Sequence, residues 1–442
     1  MAGGTFTVQN KVRPGVYINF KSKAKALGSL GDRGVVAFPA ALPWGKSGIT
    51  VVEADTFMEN SLLLIGYHAT DERIRHISAA MSHASKVLIY RLGAAGAVKA
   101  KATLGNLTAT AKFGGIRGND LQVSIQSNID IVDSYDVRTL LEGEEVDAQT
   151  VAAANELKSN AFVDFTGTGE LTETAAVSLS GGASGTGGAG EYADAFAAFE
   201  AEEFNILGLP VDDNSIKQLA VAYTKRLREQ EGKKIQTVLY NYPAADHEGV
   251  ISLKNSVITS DGLTVEPTSL IWEIAAMQAA ADVNESLTYA SIANAIDVTP
   301  KYTNSEIIQA LNNGELVLSV VNGKVVVEQD INTLTTFSPE KDNKFRKNRV
   351  VRVLDSAAND IKRIFSQNYI GKINNNADGR NLLKGEVISY LESLQGLGAI
   401  QNFDSQSDIE VLPGDHVDAV LIRVGLQPVD SPEKIYVNIT VN

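Results

Sequence analysis

The chain has 442 residues, 53 acidic and 39 basic side chains for a net charge of −14, 44% hydrophobic residues, five histidines and no cysteine. That length suits about two to four domains with real cores, and the missing cysteine excludes disulfides, thiol nucleophiles, Fe–S clusters and Cys-based zinc sites. The acidic balance disfavours nonspecific nucleic-acid binding, and with no signal-peptide core and no apolar run of about 18 residues neither export nor membrane insertion is expected.

Residues 1–33 read as an arm, polar except for the extended stretch Val16-Tyr17-Ile18 after Pro14-Gly15. Residues 34–94 begin an α/β domain. Leu62-Leu63-Leu64-Ile65 is expected as a short buried strand, Asp71 can cap a helix with Ile74, Ile77, Met81 and Ala84 on one face, and Val87-Leu88-Ile89-Tyr90 returns as a strand. Over 95–180 the short β-type runs 107–113, 121–125, 129–132, 137–141 and 175–179 are separated by glycines and acids, which predicts an inserted antiparallel sandwich or barrel. The segment 181–190, GGASGTGGAG, reads as a flexible junction.

The α/β pattern resumes over 191–335. A helix is expected at 192–204 and a strand at 205–209. The next helix, from Asn214, carries Ile216, Leu219, Ala220, Tyr223 and Leu227 on one face, and a strand at 235–240 and an Ala-rich helix from Pro267 follow. In ELVLSVV-NG-KVVVEQ, Asn322-Gly323 supplies the two positive-φ residues of a type I′ turn and predicts a hairpin.

Residues 336–442 form a last unit. One helix places Leu354, Ala357, Ala358, Ile361, Ile364 and Phe365 on its apolar face and leaves Lys362 and Arg363 on the other; a second, with Val387, Tyr390, Leu391 and Leu394, stops at Gly396. Strand candidates follow at 408–412, 417–426 and 434–441. The last, KIYVNITV, alternates with Ile435, Val437, Ile439 and Val441 on one side.

Charge is uneven along the chain. Residues 1–33 hold six bases and one acid, 129–203 hold 16 acids and two bases, and 341–372 hold nine bases and three acids. Such runs are either ordinary solvated surfaces or the marks of an oriented molecule with a basic side turned to a partner.

Chemistry is harder to find. Gly185, Gly187 and Gly190 form a G-x-G-x-x-G that follows a strand and opens a helix, with Asp212 and Asp213 further on, as in a dinucleotide-binding turn. Against this, glycine density meets the spacing by accident, and Glu191 and Asp194 would occupy the positive end of the helix where a pyrophosphate should sit. His247-Glu248 lacks a second histidine at ligand spacing, and His68, His76 and His83 lack a third ligand. No catalytic residue, metal site or cofactor is expected.

Several segments, in order, resemble the tail sheath proteins of contractile phage tails and phage-tail-like bacteriocins: RPGVYINF at 13–20, VLIYRLG at 87–93, TAKFGGIRGNDLQVSI at 110–125, LSGG with the EYADAF helix at 179–196, and ELVLSVVNGKVVVEQDINTLTTF at 315–337. KNRVVRVLDSAANDI at 347–361 and LQPVDSPEKIYVNITV at 426–441 complete the set. The resemblance implies a central subtilisin-like α/β domain without an active site, an inserted β domain, and an α+β C-terminal domain with exchanged strands. It further implies a helical homo-oligomer around an inner tail tube protein, bounded by baseplate and tail terminator proteins, that contracts to drive the tube through a cell envelope. Its place would be a virion tail or tail-like particle, assembled in the host bacterial cytoplasm.

On that resemblance, Val16, Tyr17 and Ile18 belong to an N-terminal donated strand, and Ile435, Tyr436, Val437, Ile439 and Val441 to a C-terminal one. An alternating strand left bare is a liability in a monomer but provides β-augmentation when given to a neighbour. The other reading of the C-terminal strand is an edge strand within the chain. Lys344, Arg346, Lys347, Arg349, Arg352, Lys362 and Arg363 would face the tube through weak, screened pairs. The alternatives are a nucleotide-dependent α/β enzyme using the 185–190 loop, or another self-assembling shell or scaffold protein.

Overall fold

Alternation within Val35–Ala41 and Lys86–Leu92 sends Val36, Phe38, Val87 and Ile89 to one side of a sheet and Ala37, Leu88 and Leu92 to the other. Both sides are therefore apolar, and both need a covering layer. In the computed structural model, the described residues are 31–441, preceded by the backbone strands Ala2–Gly4 and Gly15–Tyr17. The sheet has seven strands in the order Glu315–Leu316, Val250–Leu253, Gln236–Tyr240, Ile206–Gly208, Val35–Ala41, Lys86–Leu92 and Gly48–Glu53. Every pair is parallel except the last, where Gly48–Glu53 runs antiparallel to Lys86–Leu92.

Helices Arg75–Met81 and Pro267–Ala280 cover one face, with Ile77, Ile271, Ile274 and Ala275 against Phe38 and Val238. Ala189–Glu200 and Asn214–Glu229 cover the other through Phe196, Phe199, Ala220, Tyr223 and Leu227. The doubly covered parallel sheet is the α/β domain expected from the sequence.

Between its two halves lies an inserted pair of antiparallel sheets. One has the order Glu144–Val151, Tyr135–Leu141, Leu121–Ser127, Thr174–Ser178; the other is Val163–Gly167, Leu107–Ala111, Lys101–Leu104. Leu104, Leu107, Leu121, Val123, Val137 and Val163 are buried between them.

The segment 181–190, expected to be a flexible junction, is mostly exposed, and Gly182, Gly185 and Gly187 within it approach other parts of the chain closely. Gly93, at φ +72°, and Gly185 meet backbone to backbone where the chain enters and leaves the insert, and a Cβ on either would collide with the other's carbonyl. The glycines here permit close approach of two backbones.

Three further expectations change. Leu62-Leu63-Leu64-Ile65 ends the helix Phe57–Ile65, which Gly66 closes in the left-handed conformation; a short apolar run does not by itself distinguish strand from helix. Residues 129–132 form an exposed loop between Leu121–Ser127 and Tyr135–Leu141, with Asn128 Oδ1 accepting from the backbone of Asp130 and Ile131. Residues 434–441 are in no strand.

The chain divides into two compact units, 32–359 with 428–442 and 1–31 with 360–427. The division falls inside the helix Asn348–Asn368, because the polar residues of its first half are bonded into the α/β domain: Arg228 forks onto Asp355 at 2.6 and 2.8 Å, and Arg352 donates to Gln278 Oε1 at 2.7 Å. In the second unit the helix Ala377–Gly396 buries Leu383, Val387, Tyr390, Leu391 and Leu394, and packs on the hairpin Ile409–Pro413/Val420–Val424.

Candidate assembly surfaces

The insert is fastened to the α/β domain by the arginine of the sequence Gly-Ile-Arg-Gly-Asn. Arg117 is buried, donates to the Gly66 carbonyl at 2.8 Å and pairs with Asp120 and Glu142. It lies over the Tyr67 ring at 4.2 Å, and Arg73 lies over the same ring at 4.3 Å. Arg73 also pairs with Asp71 and Glu142. The hydrogen bonds from Arg73 and Arg117 pull the Glu142 carboxyl down to about 2, so Glu142 stays ionised near neutral pH.

The loop Gly185, Gly187, Gly190 does not present an open phosphate cradle. The Glu191 carboxylate, at the start of the helix Ala189–Glu200, accepts from the Gly93 backbone N–H at 2.5 Å, and Gly187 lies against Leu92. An acidic side chain in the first turn of that helix disfavours a bound anion there.

His76 packs edge-on against Trp272 with ring centroids 5.0 Å apart, and burial pulls its pKa down to about 4. His247 Nδ1 accepts from the Gly249 N–H at 2.9 Å while Nε2 faces Glu229 at 3.0 Å, which fits a neutral ring, and burial lowers its pKa. Among the described residues no group of three metal-ligating side chains is clustered, and no helix is long and apolar enough to cross a membrane.

The C-terminal segment carries apolar side chains into solvent along its length. Ile435, Tyr436, Val437, Ile439 and Val441 are 78, 88, 71, 83 and 91% exposed. The segment does not form the intramolecular edge strand that was its other reading. Just before it, Glu433 is held by Thr288 Oγ1 at 2.8 Å, Gln329 Nε2 at 2.6 Å and the Lys347 ammonium. Burial would raise the Glu433 carboxyl, but these hydrogen bonds outweigh it and keep the pKa below the usual carboxylate range. At the other end, Val16 and Tyr17 pair in parallel with Gly3 and Gly4, while Ile18 lies outside the described residues.

The basic residues expected on one face differ in their exposure. Lys344 and Lys362 are exposed, and Arg346, Arg349 and Arg363 are half-buried. Arg363 also pairs with Asp360 at 3.0 Å. Lys347 is taken up by Glu433. Arg352 is only 2% exposed and donates to Gln278, to the Glu285 carbonyl and toward Asp330, so it cannot belong to a contact surface in this structure. Hydropathy treats every arginine as an outward residue; only the acceptors at 278, 285 and 330, distant in sequence, reveal otherwise. The Glu433 clamp escaped sequence reading for the same reason.

Comparison with known proteins supplies the class. The phage tail sheath protein beta-sandwich domain matches residues 95–184, the phage tail sheath protein central domain 185–333 and the phage tail sheath C-terminal domain 340–442. The chain is 37% identical to the Phage-like element PBSX protein XkdK of Bacillus subtilis over 100% of both chains. It is 48% identical to the sheath tail protein from Desulfitobacterium hafniense, with a TM-score of 0.85, covering 96% of this chain and 99% of that one. The sheath of the anti-feeding prophage in its contracted state shares the fold, with a TM-score of 0.58 at 15% identity over 98% of this chain and 99% of that one.

These matches define a structural component of a phage-type tail and not an enzyme. The chain belongs to the phage tail sheath protein family.

Proposed function

We propose that this protein is the repeating subunit of a contractile sheath, polymerising helically around an inner tube and contracting to drive that tube through a cell envelope. The observation that carries the reading is the alternating segment 434–441, fully apolar on one side and left bare by its own chain. Water-exposed apolar side chains and unpaired backbone groups in register are the two halves of a β-augmentation interface. A neighbouring subunit is the natural acceptor in a protein that works as many copies. At the N-terminal end, a ladder of three residues between Ala2–Gly4 and Gly15–Tyr17 is too short to be stable alone, which favours assigning Val16, Tyr17 and Ile18 to a second exchanged strand.

The doubly covered parallel sheet is consistent with a subtilisin-like layout without an active site, and with exchanged strands completing the C-terminal part. Lys344, Arg346, Arg349, Lys362 and Arg363 are the tube-facing residues in this reading, with Arg352 and Lys347 withdrawn from it. Exposed charges provide weak, screened contacts that hold register yet release when the sheath rearranges. Sheath neighbours in the contracted state support a change between two packings of the same subunits, which needs no nucleotide. The further partners are the inner tail tube, the baseplate and the tail terminator, in a virion tail or phage-tail-like particle assembled in the bacterial cytoplasm.

Electron microscopy of the purified protein tests the reading. Tubes or stacked rings are expected at sufficient concentration, and closed shells would indicate a different scaffold. Deleting 434–442 should leave soluble, folded monomer; assembly unaffected by that deletion would remove the donated strand.

A further inference from the structure

Both terminal arms leave the folded body beside a carboxylate that is bonded to several elements at once. Glu433, one residue before the bare segment, gathers Thr288, Gln329 and Lys347 from three separate parts of the chain, and Thr288 Oγ1 in turn accepts from the Asp330 N–H at 2.9 Å. The side chain of Glu433 is 10% exposed, whereas Lys434 and everything to 441 is exposed. The transition from held to bare takes one residue.

Asp360 does the same at the end of the N-terminal arm. Its two oxygens accept from the Gly31 N–H at 2.9 and 3.1 Å, Oδ2 also accepts from the Tyr390 hydroxyl at 3.0 Å, and Arg363 donates to Oδ1 at 3.0 Å. A Cβ at position 31 would lie 2.5 Å from Asp360 Oδ1, so the carboxylate would have to shift to keep the grip. Burial, aided by the Asp360 charge, pushes the Tyr390 hydroxyl well above its ordinary pKa and keeps it a proton donor.

We propose that Glu433 and Asp360 are the roots of the two arms: Glu433 pins the residue from which the C-terminal strand departs, and so fixes the register in which the neighbour receives it, while Asp360 anchors the chain at Gly31, on the C-terminal side of the N-terminal arm. The proposal rests on the strand-donation reading above. Register is the quantity at stake, because a one-residue slip turns Ile435, Val437, Ile439 and Val441 from the apolar side of the acceptor to the solvent side. A free tail would sample both registers and many directions. With Glu433 fixed, eight residues extend over roughly 26 Å, at about 3.3 Å each, from one point and with one parity. Pre-orienting a segment in this way lowers the entropy lost on docking. The C-terminal root also accounts for Lys347, one of the bases expected on the tube face, being turned to an acidic partner within the subunit.

The test compares four full-length proteins: wild type, Glu433→Ala, the exchange Glu433→Lys with Lys347→Glu, and Asp360→Ala, beside a deletion of 434–442. Melting of the monomer and the concentration at which tubes form are both measured. Loss of a charge-assisted clamp is expected to raise that concentration about tenfold in Glu433→Ala and Asp360→Ala, with the charge exchange recovering most of the loss. The monomer of Glu433→Ala should melt with the wild type, since only the tail root is freed. If it melts well below, Glu433→Gln, which keeps the shape and removes the charge, carries the same comparison. Assembly of Glu433→Ala or Asp360→Ala at the wild-type concentration overturns the corresponding root. If in addition the deletion abolishes assembly, strand donation stands and only the root falls. If the deletion assembles normally, strand donation fails and takes the C-terminal root with it.

Discussion

The strands of the central sheet and the segment 434–441 are written in similar residues and end in opposite states. Val238 and Leu239 in Gln236–Tyr240 are fully buried under helices on both faces, whereas Val437 and Ile439 stand in water. Amino-acid type therefore does not distinguish them; the presence of a covering partner within the chain does. A core strand supplies stability to its own subunit, and the bare segment holds the same kind of free energy in reserve for another.

The sharpest way to break this comparison is to place the same charge in both. Val238→Asp buries an unpaired carboxylate and is expected to cost about 4 kcal/mol or more, seen as loss of the folded protein in urea melts. Val437→Asp should leave the monomer's melting temperature unchanged and abolish tube formation in sedimentation. Equal effects of the two on monomer stability would erase the distinction.

A smaller effect is expected where the insert meets the α/β domain. Arg117→Ala removes the group bonded to Gly66, Asp120 and Glu142 and stacked on Tyr67. A loss of about 2–3 kcal/mol is expected, because one buried charge leaves but its acidic partners remain half in solvent. The hydrogen exchange of residues 95–184 should rise while that of the central sheet stays slow.

Smaller again is the pH response of the body. His76 is held neutral, with a folded pKa of about 4 against an ordinary 6.5. The unfolded chain therefore binds the extra proton between those values, so this contribution is complete above about pH 6.5 and is lost as pH falls toward 4. A melting temperature that declines over that window, and declines less in His76→Phe, is the expected outcome. The smallest effect belongs to exposed charge: Lys344→Glu with Lys362→Glu should weaken co-sedimentation with the tube protein severalfold at low salt and little at high salt.

Much of the body was legible in the sequence because its signals are local. Asn322-Gly323 adopts φ of 51° and 77° in the turn between Leu318–Val321 and Lys324–Val327, and the faces of Asn214–Glu229 and Ala377–Gly396 follow their apolar period. Leu62 to Ile65 was misread because four apolar residues carry no period, and Gly66 was the cue that a helix was ending. The strands Lys101–Leu104, Glu144–Val151 and Val163–Gly167 escaped notice because their outward residues are polar or acidic and their apolar runs short. The tail's alternation was readable, but whether it paired at home was not, since pairing depends on the rest of the fold. The clamps were invisible for a related reason: Glu433 meets Lys347, Gln329 and Thr288 across 86, 104 and 145 positions of sequence.

Hydrogen exchange at the backbone amides of Ile435, Val437, Ile439 and Val441, in the monomer and in assembled tubes, tests the donated strand most directly. Rapid exchange in the monomer and protection on assembly comparable to that of the central sheet are expected. Equally rapid exchange in intact tubes would show that the segment never enters a neighbour's sheet.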